Sequence, residues 1–311
     1  MKVGYLFPGQ GAQSVGMCKD LYEKYEEVRD VYKRAGEILN IDIAKLTFDA
    51  SEEELCETKN TQIAILVMSL AILEVLKKYD IKVEMTAGLS LGEYTALIFA
   101  KMLEFEDGIK LVRKRGELMQ SMVPKGNWSM AAIIGLEDSE VEKACKQANN
   151  FGFVVPANYN CPKQVVISGE KNAVLEAMRI CKERGAKLAR ELKTGGPFHT
   201  EKLQSASNAL YNELDKVEIK NIGDIPVVKN IDGKIYDEND DINKILSKHI
   251  TNPVRFKEDI QTMLDNGIDT FIEIGPGKVL SGFVKKINSN VKILNINNVE
   301  TLDKTLEELV K

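Results

Sequence analysis

A serine bracketed by glycines, Gly88-Leu89-Ser90-Leu91-Gly92, separates an alternating stretch, Ile81 to Ala87, from an apolar run, Leu91 to Ala100. The first reads as a strand and the second as a helix. A strand that turns straight into a helix across small residues confines the chain to an α/β architecture, because the helix must pack back over the sheet its strand joins. In that context G-x-S-x-G is a nucleophile elbow, in which the crowded backbone excludes bulk at the flanks and leaves the serine at a helix N-terminus. Free N–H groups and the positive helix end there favour a developing oxyanion. The same five residues also suit a plain turn with a solvated serine, so the rest of the chain must decide.

Strands and helices alternate elsewhere too. Val3 to Phe7 reads as a buried strand, Met17 to Leu39 as one long charged surface helix, and Gln62 to Lys78 as a core helix. This rhythm predicts a mostly parallel sheet with helices on both faces. Between Pro124 and Gly195 it changes: Met130 to Ile134 is a strand, Ser139 to Asn149 a helix with Ser139 as N-cap, and Phe153 to Pro156 and Gln164 to Ser168 are strands. A turn-rich segment, Asn158-Tyr159-Asn160-Cys161-Pro162, joins these two strands, and helix Lys171 to Arg184 and strand Lys187 to Leu192 complete a βαββαβ order. That order is ferredoxin-like. The expected organisation is therefore a small unit, 125–194, inserted in a large α/β domain made of 1–124 and 195–311.

A chain of 311 residues has room for both units, and a net charge of −5 carries no signature for nucleic acid. The five cysteines form no C-x-x-C pair and read as reduced thiols. Ile63 to Leu76 is shorter than the ~20 residues that span a bilayer, and the apolar start ends at Pro8-Gly9, too soon for a secretory signal. The expectation is a cytoplasmic protein with no membrane partner. No cluster has metal-ligand spacing. The segment 125–194 carries eleven Lys/Arg against eight Asp/Glu, a net of +3, which leaves −8 on the remainder. The basic run Lys182, Arg184, Lys187, Arg190 and Lys193 is either a solvated face or a dock for an acidic partner.

A serine nucleophile needs a base, and the chain has two histidines, His199 and His249. His199 lies in the Gly- and Pro-rich loop Gly195 to Thr200; His249 precedes Thr251-Asn252-Pro253-Val254-Arg255-Phe256. At about 100° per residue, Arg115 falls among Leu111, Val112, Leu118, Met119 and Met122 on one helix face. A guanidinium on an apolar face requires a partner, either an internal Asp or Glu or a substrate carboxylate held bidentately. The loop Pro8-Gly9-Gln10-Gly11-Ala12-Gln13 follows the first strand, at the strand end where α/β sites lie, and matches no phosphate-binding fingerprint.

Together these segments resemble the malonyl-CoA:acyl carrier protein transacylase family. The resemblance runs through Phe7 to Gln13, Gly88 to Tyr94, Arg115-Gly116, Asn160-Cys161-Pro162, Gly196 to His199, Asn252 to Phe256 and Glu273-Ile274-Gly275-Pro276-Gly277, in the family's order. It implies a large α/β hydrolase-like domain with a ferredoxin-like insert. It implies Ser90 as nucleophile, His199 as general base, the backbone N–H groups of Gln10 and Leu91 as oxyanion hole, and Arg115 on the malonyl carboxylate. Phe198, Asn160 and His249 would be substrate-binding, Phe198 by limiting room for a branched acyl chain. Two positions depart from the family: Leu89 stands where histidine is common, and His249 where many members have a glutamine whose backbone carbonyl orients the catalytic imidazole. The implied reaction is ping-pong transfer from malonyl-CoA to the phosphopantetheine thiol of an acidic acyl carrier protein, by a monomer with no permanently bound cofactor. Rival readings are an acyltransferase serving polyketide assembly, a serine esterase or thioesterase, and a non-catalytic carrier-binding module.

Overall fold

The computed structural model describes residues 1–193 and 196–309. Among these residues eight strands form two separate sheets. The first contains β1 (Val3–Phe7), β2 (Val83–Gly88), β7 (Thr270–Ile274) and β8 (Lys292–Ile296), in the order β2-β1-β7-β8. Every pairing in it is parallel. β1 is buried throughout, as a central parallel strand covered on both faces must be. The helix Thr58–Leu76 lies in this core with only Lys59 and Glu74 not buried. It is long and apolar enough to cross a membrane, yet its surroundings are protein.

The second sheet contains β3 (Trp128–Ile134), β4 (Val154–Cys161), β5 (Gln164–Glu170) and β6 (Leu188–Glu191), in the order β4-β5-β3-β6. All of its pairings are antiparallel. With helices Asp138–Ala148 and Lys171–Glu183 it encloses a core of its own, including Ile133, Val141, Val165, Ile167 and Val174. The α/β class with a large, mostly parallel domain and a small ferredoxin-like unit is thus the observed architecture. The boundary expected between 194 and 195 lies outside the described residues.

Three local expectations are corrected. The helix expected over Met17 to Leu39 is two helices, Lys19–Lys24 and Glu26–Leu39, parted by an extended Tyr25. Its residue types do not mark the break; Arg29 reaches back to donate to the carbonyls of Tyr22 and Glu23, at 2.8 and 3.0 Å, and so satisfies the first helix's open end. Ser139 is not the N-cap of its helix; Glu137 stands there, without a side-chain bond. The segment Asn158 to Cys161 is strand rather than turn, and the reversal is confined to Pro162-Lys163, with Lys163 at φ +61°. Register shifts between Pro156 and Asn158 and between Tyr159 and Cys161 keep β4 paired despite its turn-forming residues. Such bulges re-aim side chains, and Asn158 and Asn160 both face the cleft described next.

Candidate active site

The cleft lies between the two units. The loop Pro8 to Ala12, Ser90, Leu91, Arg115, Phe198, His199 and Val279 line one side; Met130, Ala132, Asn158, Asn160, Gln164 and Val166 line the other. An isolated bridge from Asn158 to Val254 ties β4 to the large domain at the cleft edge.

Ser90 stands where β2 turns into the helix Leu91–Phe99, with φ 52° and ψ −99°, a costly conformation for a residue with a side chain. The turn is as crowded as its glycines suggest. A Cβ on Gly88 would stand 2.0 Å from the backbone of Gly92, and one on Gly92 2.0 Å from the carbonyl of Phe7. Asn230 holds the turn from outside: its Oδ1 accepts from the Ser90 N–H at 2.6 Å, and its Nδ2 donates to the Gly88 carbonyl at 2.6 Å and to Asp259 at 2.7 Å. The segment carrying Asn230 arrives alongside β2, where Thr86 N–H donates to Pro226 and Val228 N–H to Thr86. With the Ser90 N–H so engaged, the N–H groups of Leu91 and Gln10 remain without a protein acceptor among the described residues. Both residues border the cleft beside the serine.

His199 Nε2 lies 2.8 Å from Ser90 Oγ. On the ring's other side, Nδ1 is 3.0 Å from the carbonyl of His249 and 3.2 Å from that of Asn252. Two carbonyls can only accept, so they hold the proton on Nδ1 and leave the Nε2 lone pair for the serine hydroxyl. Burial drives the imidazole well below its ordinary pKa, helped by His249 and Arg115, while the two carbonyls oppose the shift. The ring is thereby kept neutral and able to take a proton. His199 also has a left-handed φ of 58°. Strained backbone thus occurs at both members of the pair.

Arg115, 1% exposed, projects from helix Phe105–Ser121. Its Nη1 donates to Gln62 Oε1 at 2.7 Å, its Nη2 to Ser90 Oγ at 3.0 Å, and its guanidinium lies 5.3 Å from the Tyr94 ring centre. Burial works against its charge, with Tyr94 and Glu93 in opposition. Among the described residues no Asp or Glu comes within ion-pair distance of it, and its Nε has no acceptor. Of the two partners considered from sequence, the internal acid is not found; the guanidinium faces the cleft beside the serine.

Asn160 and Phe198 border the cleft, and Asn160 Oδ1 is buried without a partner. His249 does not. Its side chain turns away from the cleft to Glu93, with Nδ1 3.0 Å from Oε2, and only its backbone carbonyl reaches the site, through His199. The expected substrate-binding place of His249 is therefore corrected: its ring, at the C-terminal end of helix Ile242–His249, packs inward on Glu93. Cys161 is buried outside the cleft lining, and burial pushes its thiol up to about 11. Residues missed from sequence are Asn230, Gln62 and Glu93. A signal existed only for Gln62, a polar side chain directly ahead of the largely apolar run Ile63 to Leu73.

A serine activated by a neutral imidazole, with two N–H groups and a cation beside it, is equipped to attack a thioester or ester bearing a carboxylate. The family model described as acyl transferase domain matches residues 4–304. The chain is 42% identical over 309 residues to the malonyl CoA-acyl carrier protein transacylase of Bacillus subtilis, covering 99% of this chain and 97% of that protein. Among solved structures, the protein of that name from Clostridium perfringens is 45% identical with a TM-score of 0.94, over 99% of this chain and 97% of the other. A malonyl-transacylase solved in complex with a type II PKS acyl-carrier protein is 37% identical with a TM-score of 0.95, over 99% of this chain and 100% of the other.

Proposed function

Because the chain belongs to the malonyl-CoA:acyl carrier protein transacylase family, we propose that Ser90 is the nucleophile and His199 the general base of a two-step transfer. The enzyme moves a malonyl group from malonyl-CoA to the thiol of acyl carrier protein, a step of fatty acid biosynthesis. The observation that carries the assignment is that one hydroxyl, Ser90 Oγ, is met at once by His199 Nε2 at 2.8 Å and Arg115 Nη2 at 3.0 Å.

In the first step Ser90 Oγ attacks the thioester carbonyl of malonyl-CoA while His199 Nε2 takes its proton. The oxyanion that forms accepts from the N–H groups of Leu91 and Gln10. Arg115, released from the hydroxyl, turns its fork to the malonyl carboxylate while Gln62 steadies its other nitrogen. The carbonyl re-forms, the C–S bond breaks, and the imidazolium delivers its proton to the departing coenzyme A sulfur. This leaves a malonyl ester on Ser90. In the second step the phosphopantetheine thiol of the carrier gives its proton to His199 and attacks that ester, and Ser90 recovers the proton as it leaves. The same imidazole serves both halves because it returns neutral after each. The chain's own groups supply every step, so no permanently bound cofactor enters the proposal.

Phe198 and Asn160 bound the acyl and pantetheine space. The 125–194 unit closes the cleft, and its basic side receives an acidic carrier. Lys182, Lys187 and Arg190 make no ion pair among the described residues, whereas Arg184 is occupied by Glu140 at 2.8 Å. A monomeric cytoplasmic enzyme is part of the same reading. The neighbour bound to a polyketide carrier keeps such a carrier as a second acceptor, and rates with a panel of carriers separate the two. The central test is intact mass after mixing with malonyl-CoA. One malonyl adduct, mapped to Ser90 and cleared by holo-carrier, is expected; an adduct elsewhere refutes the assignment.

A further inference from the structure

Behind the proposed dyad lies a buried pair that the chemistry above does not use. His249 is 1% exposed and Glu93 is fully buried, and the imidazole of His249 stands 5.0 Å, centre to centre, from that of His199. The Nδ1 of His249 is 3.0 Å from Oε2 of Glu93, an approach at ion-pair distance rather than an aligned hydrogen bond. The other carboxylate oxygen accepts from the Tyr236 hydroxyl at 2.6 Å. A carboxylate removed from water is costly unless polar groups meet it; here the Tyr236 hydroxyl donates to one oxygen and His249 stands at ion-pair distance from the other. Neither Glu93 nor His249 lines the cleft.

Their placement closes a circuit. Glu93 belongs to the helix that Ser90 opens, three residues beyond the nucleophile. His249 is the last residue of helix Ile242–His249, and its carbonyl is the acceptor 3.0 Å from His199 Nδ1. From Ser90 the contacts run to His199, to the His249 carbonyl, through the His249 side chain to Glu93, and back along the helix to Ser90. We propose that Glu93 is a positioning residue for the transfer: by holding the side chain of His249, it keeps that residue's carbonyl on His199 and so fixes the base against the nucleophile. The inference deepens the proposed function and rests on its Ser90–His199 pair.

A role in packing alone would need only volume at position 249, whereas a positioning role needs a polar group facing Glu93. His249→Leu keeps volume and removes the polar group; His249→Gln keeps a polar group that can face Glu93. Single-turnover acylation of Ser90 by malonyl-CoA then gives a maximal rate and a half-saturating concentration for each folded variant. His249→Leu should lower the maximal rate about ten-fold, on the scale of a small misalignment of reacting groups. Its half-saturating concentration should stay within about two-fold, since the side chain is remote from the cleft. His249→Gln should recover most of the rate. Glu93→Ala should lose as much as His249→Leu, and the double variant no more than either, because the two act through one another. Equal rates in the Leu and Gln variants, a loss carried by half-saturation, or losses that multiply in the double variant would each overturn the proposal. Ser90→Ala run alongside keeps the two readings apart. If it still acquires malonate, the dyad itself is wrong; if it is inert while His249→Leu reacts like the parent, only the positioning role fails.

Discussion

Arg115→Ala isolates the contact that distinguishes a malonyl site from a general esterase site. In the free protein the guanidinium spends one nitrogen on Gln62 and another on Ser90 Oγ, and among the described residues no carboxylate lies within ion-pair distance of it. A malonyl carboxylate would therefore meet a desolvated cation already steadied on one side. Hydrogen bonds to charged groups contribute about 1.5–3 kcal/mol each. Losing ~3 kcal/mol of transition-state stabilisation slows transfer on the order of 10²-fold. Acetyl groups have no carboxylate to lose, and removal of a buried cation eases their entry, so acetyl-CoA should become a relatively better donor. Arg115→Lys should restore little, because an ammonium cannot match the fork or reach Gln62 in the same plane. Steady-state rates with both donors, beside a thermal melt, form the assay. An unchanged malonyl-to-acetyl ratio, with both rates depressed in step with the melting temperature, would show that Arg115 serves the fold and refute the carboxylate assignment.

Ser90→Ala should abolish both the malonyl adduct and transfer, whereas Cys161→Ala should leave both intact, because burial holds that thiol near 11 and keeps it protonated at neutral pH; intact mass distinguishes them. His199→Ala should cut transfer by roughly 10² or more. With the His199 imidazole held well below its ordinary value of 6.5, the base stays unprotonated as pH falls through 6.5. The acid limb of the acylation rate should then lie below that pH, and a limb at or above it would contradict the burial argument. Charge reversal at Lys182 and Lys187 should weaken use of the carrier and flatten its salt dependence while sparing acylation by malonyl-CoA. Equal losses in both half-reactions would assign these lysines to coenzyme A or to the fold.

What could be read from the chain was local. Gly88, Ser90 and Gly92 announced the turn because crowding there acts between neighbours in sequence, and Arg115 showed on its helix because the apolar residues around it recur at helical spacing. The βαββαβ order was readable for the same reason, since each of its elements carries its own period. Tertiary contacts left no such trace. Asn230 sits in an ordinary Val-Val-Lys-Asn stretch, and it holds the elbow only because residues 226 to 228 come to lie beside β2. Nothing in the sequence around Glu93 marks it as the residue over which Tyr236 and His249 close. Asn158 and Asn160 misled in the other direction: their turn propensity is real, and pairing with β5 across two bulges overrides it.

The Asn230 clasp also bears on when during synthesis the protein becomes chemically dangerous. Ser90 Oγ is bonded to a histidine 109 residues later, and its own N–H to an asparagine 140 residues later. A ribosome that has released the elbow and its helix has therefore made a serine with neither base nor brace. On the proposed Ser90–His199 pair, the nascent chain lacks its base until residue 199 has emerged and folded back onto the elbow. In the proposed transfer, reactivity then arrives only once residues 199 and 230 have both closed on the elbow.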